Sequence, residues 1–230
     1  KEAFADLTQD VTLTIVRKPP SRIILLDQKQ GEVGDDGGEL VTAVMRELAS
    51  TSTRVKVEEI DATREPERAT ALVGELLPAT VLSSSTAKGK LVFYGVPAGH
   101  QMAALISTIV ELGMVLETIP EEVATRIRAL PEPVSIKVFV TPSCPHSPGM
   151  TRAAFQLAMY LDNVRADVIE IQEFPELAQE YEVRGVPKTV INDKAALMGA
   201  VPGGVLIETI EAAAGGAAPD QSAPVADPVE

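Results

Sequence analysis

Cys144 is the only cysteine of the chain, and the residues around it are those that make a thiol reactive. Ser135 to Val140 is β-branched and apolar and predicts a strand. Ala154, Leu157, Ala158 and Leu161 stand at helical spacing and predict a helix over Gly149 to Leu161. A sulfur at such a strand-to-helix turn faces unpaired backbone N–H groups and the positive end of the helix dipole. Both favour thiolate, the nucleophilic form. Pro145 suits a first helical turn. His146, when protonated, would add a second positive field. The expected direction is a lowered Cys144 pKa. The competing account is a buried cysteine acting as a small hydrophobe, and the strand, the helix and a downstream proline weigh against it.

Ser147 stands three residues after Cys144. A second thiol there would release a mixed disulfide by internal attack; a hydroxyl cannot, although it can donate a hydrogen bond to the thiolate. The catalytic set expected is therefore Cys144, His146 and Ser147. Val186-Pro187 begins a predicted strand, and a cis bond is expected there. It would offer the Val186 backbone to an extended substrate chain beside the sulfur. Pro145, Val186 and Pro187 form the expected substrate-binding set. Arg184 and Lys188 flank Pro187 and read as solvated. His100 reads as a helix-start residue able to hydrogen-bond between units, rather than as a base.

The chain has 230 residues, with 45% apolar and 3% aromatic side chains and a net charge of −13. A core of Val, Ile, Leu, Ala and Met is affordable at this length, in one large domain or two small ones. The acidic balance argues against nucleic acid as a partner. One Cys excludes an intramolecular disulfide, and with two His it excludes a Cys/His zinc site from one chain. No metal or cofactor is expected. The apolar runs are too short to span a bilayer, and the N-terminus lacks the apolar stretch of a signal peptide. A cytoplasmic location is the expectation.

The predicted elements run β-α-β-α-β-β-α from Ser135 to Ala212, and much of that order occurs earlier. Val55 to Ile60, Pro66 to Leu76, Ala79 to Leu82, Leu91 to Tyr94 and His100 to Leu112 correspond, preceded by a strand at Ile23 to Leu26 and a helix at Glu39 to Ala49. Val11 to Val16 reads as an extra strand without a place. Four short matches keep order: Val57–Ile60 with Val168–Ile171, Glu65–Glu67 with Phe174–Glu176, Leu77–Val81 with Val186–Val190, and Gly95–Gly99 with Gly199–Gly203. The expected organisation is an α/β protein of two tandem units, 1–116 and 117–212, each a central mixed sheet flanked by helices, with a disordered tail over 213–230. The first unit has no Cys. Its Gln28 to Gly38 loop lacks the ending of a phosphate loop, and its Asp35 and Asp36 read as solvated. That unit supports or presents substrate to the other, and Leu77-Pro78 is the counterpart of the proline site.

The second-half order is that of a thioredoxin-type unit. Val138–Pro145, Glu173–Ala178, Val186–Asp193 and Tyr94–His100 together resemble the glutaredoxin-like protein disulfide oxidoreductases, over about residues 50 to 212. A near relative is the N-terminal domain of the alkyl hydroperoxide reductase flavoprotein, which also pairs a Cys-less unit with a Cys-bearing one. The resemblance implies two packed thioredoxin folds, thiol–disulfide exchange with protein thiols and disulfides, and a low-molecular-weight thiol or a reductase as electron donor. Members commonly carry CxxC in each unit; here the first unit has none and the second has CxxS. No flavin-binding Gly-rich fingerprint is present. Two rival functions are a non-catalytic binding or adaptor module and a monothiol glutaredoxin.

Overall fold

The computed structural model describes residues 2–19, 37–114 and 119–215. After a 3-10 turn at Glu2–Phe4 the order is β1 (Val11–Arg17), α1 (Gly38–Ser50), β2 (Val55–Asp61), α2 (Pro66–Val73), β3 (Ala79–Ser84), β4 (Lys90–Tyr94) and α3 (His100–Met114). Then follow α4 (Glu121–Arg128), β5 (Val134–Val140), α5 (Ser147–Tyr160), β6 (Val164–Glu170), α6 (Pro175–Glu180), β7 (Lys188–Ile191), β8 (Ala195–Met198) and α7 (Gly203–Gly215). The pattern β-α-β-α-β-β-α runs twice, with α4 inserted between the two runs.

The strands form one eight-stranded sheet in the order β2-β1-β3-β4-β6-β5-β7-β8. In each half the first two strands are parallel and the last three are antiparallel neighbours. The expectation of one sheet per unit is thus modified. Parallel pairing of β4 with β6, Lys90 opposite Arg165 through Tyr94 opposite Ile169, joins the two edges.

Alternate side chains feed two cores. Leu13, Ile15, Leu91, Phe93, Val138 and Phe155 belong to the larger, under α1, α3, α5 and α7; Val16, Val92, Tyr94, Phe139 and Ile169 belong to the other, with α2 and α6. Both clusters draw on both halves. Among the described strands β2 is an edge, and it exposes Lys56 and Glu58, charges that discourage edge-to-edge pairing.

Several expectations are corrected here. Val11 to Val16 is no extra strand: it is β1, an interior strand of the sheet. The strand expected at Ile23 to Leu26, and most of the Gln28 to Gly38 loop, lie outside the described residues. α4 was not expected at all. It carries Glu121 and Glu122 in its first turn and Arg126 and Arg128 in its last, the arrangement a helix dipole favours. α7 continues to Gly215, so 213–215 are helical and not part of a tail; residues 216–230 lie outside the described part. No helix among the described residues is long and apolar enough to cross a membrane.

Candidate active site

Cys144 sits half-buried between the end of β5 and the start of α5. Its backbone N–H donates to the Thr141 carbonyl at 3.4 Å, closing a tight turn that aims the sulfur at the helix start. Partial burial pushes the thiol pKa up. Hydrogen bonds to the sulfur from the Ser147 hydroxyl and from the backbone N–H groups of His146 and Ser147 outweigh it, so the net direction is down. The S–H donates to the Val186 carbonyl at 3.4 Å.

His146 is the N-cap residue of α5 and is exposed. Its backbone N–H acts on the sulfur. Pro145 is exposed beside the sulfur. Ser147 is 0% exposed, and its hydroxyl has no partner in ordinary hydrogen-bond geometry. The sulfur is the acceptor it faces, and charge on the sulfur would strengthen that contact.

The Val186–Pro187 peptide is cis. Pro187 is buried and Val186 half-buried, and the Gly199 N–H donates to the Pro187 carbonyl at 2.8 Å. Lys188 turns away from the sulfur, its Nζ donating to the carbonyls of Tyr181 and Glu182 at 2.6 and 3.3 Å. Arg184 is exposed.

The first half holds the matching frame without the chemistry. Leu77–Pro78 is cis, and the Gly95 N–H donates to the Pro78 carbonyl at 2.9 Å. Gly37, in the left-handed conformation, caps α1. A carboxylate from the second half enters this frame: Glu173 accepts the Val96 N–H at 2.6 Å, and a Cβ at Gly37 would lie 3.1 Å from its Oε2.

Sequence reasoning missed the contacts that join α3 of the first half to the β5–α5 turn and to α5 of the second. The His100 N–H donates to the Pro142 carbonyl at 2.9 Å. Buried Gln101 accepts from the buried Thr151 hydroxyl at 2.9 Å. Glu111 accepts from Arg152 and Gln156 at 2.7 and 2.9 Å. Their one signal was polar residues on the otherwise apolar face of α3. Among the described residues no group of three or more His, Cys, Asp and Glu is gathered to hold a metal.

Residues 134–211 match the thioredoxin domain family. Over 79 residues the chain is 35% identical to a thioredoxin of Methanocaldococcus jannaschii, covering 34% of this chain and 93% of that protein. The chain belongs to the thioredoxin family.

Solved structures extend the thioredoxin likeness, as a likeness of fold, to both halves. The NTD_N/C domain of alkylhydroperoxide reductase from Enterococcus faecalis superposes with a TM-score of 0.77 at 24% identity, over 91% of this chain and 94% of that one. A protein disulfide oxidoreductase from Aeropyrum pernix gives 0.78 at 19% identity, over 94% and 90%. The resemblance read from the sequence motifs holds. Against a longer curated relative, a Bacillus subtilis NADH dehydrogenase, this thioredoxin-family chain spans 31% of the relative's length.

Proposed function

We propose that the chain exchanges thiols and disulfides with protein substrates through Cys144. The observation that carries this reading is a half-buried sulfur at the start of α5, with the Ser147 hydroxyl and the backbone N–H groups of His146 and Ser147 directed at it and the Val186 carbonyl 3.4 Å away. The Cys144 thiolate attacks one sulfur of a substrate disulfide. A new S–S bond joins Cys144 to that sulfur, the substrate S–S bond breaks, and the departing thiolate takes a proton from water. The Val186 backbone pairs with the extended substrate chain, and Pro145 and Pro187 flank it. Ser147 steadies the thiolate but carries no sulfur to reverse the adduct. An external thiol, of a small molecule or of a reductase, therefore attacks the mixed disulfide and frees Cys144.

On this reading the half without Cys, over 1–116, supports the reactive half over 117–212. The test is incubation with a protein disulfide in the absence of reductant, followed by intact-mass analysis. A persistent one-to-one adduct at Cys144, discharged by added thiol, is the expected result. Ser147→Cys should remove the adduct and give turnover with a dithiol reductant. Absence of any adduct on the wild-type chain would refute the proposal.

A further inference from the structure

The helix that ends the first half reaches the reactive loop of the second. Gly99, just before α3, has φ of +53°, a left-handed conformation that glycine adopts without steric cost. A Cβ there would lie 2.4 Å from the Pro142 carbonyl oxygen and 3.0 Å from its carbon. Next to it, the His100 N–H donates to that same oxygen at 2.9 Å. Pro142 belongs to the turn closed by Cys144 N–H on Thr141. One turn into α5, Thr151 is bonded to Gln101 on α3, so α3 holds the chain on both sides of the sulfur. The repeat supplies its own comparison. Gly203 is the counterpart of Gly99 in the second half, and a Cβ there would meet nothing within 4 Å.

We propose that Gly99 and His100 are positioning residues for Cys144, holding the Thr141–Cys144 turn through the Pro142 carbonyl so that the first half shapes the thiol site of the second. This rests on the reading of Cys144 as a thiolate nucleophile. The sulfur receives its N–H contacts from His146 and Ser147, and both depend on where this turn ends. Displacing Pro142 lengthens those contacts while removing no group from the site.

The experiment is the pH profile of Cys144 alkylation by iodoacetamide on the intact chain, with a thermal melt for each variant. Gly99→Ala should raise the midpoint by about one pH unit, which is about a tenfold loss of thiolate well below the midpoint. Gly203→Ala should leave it in place. His100→Pro removes the donor and sets its ring against the same Pro142 oxygen, so it too should shift the midpoint upward. A wild-type midpoint below that of a free thiol, with folded Gly99→Ala and His100→Pro both matching it, overturns the proposal. If Gly99→Ala does not fold, the His100→Pro midpoint decides alone. A wild-type midpoint at the free-thiol value overturns the reading of Cys144 itself, and this proposal with it.

Discussion

At Cys144 two opposed effects act on one sulfur. Burial disfavours the anion, and contacts from the Ser147 hydroxyl and the His146 and Ser147 N–H groups favour it. The Ser147 hydroxyl is the one side chain among those contacts, and without the anion it is a buried hydroxyl lacking a partner. Ser147→Ala should therefore raise the alkylation midpoint while changing folding stability by no more than about 1 kcal/mol. Urea unfolding at pH 6 and an alkylation series measure the two separately. That Cys144, Ser147, Val186 and Pro187 come together was legible in the sequence, because each position follows from local chain order: strand, turn, helix, proline. That His146 presents its backbone N–H to the sulfur was not legible. Whether a cap residue offers its ring or its N–H depends on the backbone angles of the turn, and residue type does not fix those.

Among the elements, the β3–β4 hairpin docks on the opposite half through the N–H groups of Lys88 and Gly89. The Gly89 N–H donates to Ala158 at 2.8 Å, and a Cβ on Gly89 would fall 2.1 Å from the Val164 carbonyl and 2.5 Å from that of Leu161. Gly89→Ala should cost about 1–3 kcal/mol by overpacking, read as a lowered denaturation midpoint. The elements themselves were mostly legible, and the exceptions have physical causes. In β1, Val11, Leu13, Ile15 and Val16 are all buried, because both faces of the sheet are covered. Such a strand loses the alternation that marks a half-exposed one. The match of Val57–Ile60 with Val168–Ile171 is out by two residues. The offset that lays Pro66 on Pro175 and Pro78 on Pro187 lays Val55 on Val164 and Ile60 on Ile169. A two-residue slip keeps every strand side chain on its own face, so apolar pattern alone does not detect it. α4 was missed because its two turns are too short to show a period.

For the whole molecule, the fused sheet makes the two halves one folding problem. Pairing of β4 with β6 buries polar groups at the join. The Tyr94 hydroxyl donates to the Val73 carbonyl at 3.0 Å and accepts from Arg165 at 2.8 Å, and Arg165 is paired with Asp167 at 2.8 Å. This join was not legible, since edge pairing between units leaves no local mark in either. Nearby, burial raises the pKa of Glu170, so around the carboxyl range the folded state binds more protons than the unfolded. The Glu170 contribution is complete below the unfolded carboxyl value of about 4.3 and is lost as pH rises through the higher folded value. Glu170→Gln should flatten the fall in stability across that window, measured by urea titration at several pH values. An unchanged slope would count against this burial.

The central claim is that Cys144 is held as a thiolate by the start of α5. Its most direct test is the rate of Cys144 alkylation by iodoacetamide on the wild-type chain as a function of pH. The account predicts a midpoint below the ~8.5 of a free thiol. A midpoint at or above that value would contradict it.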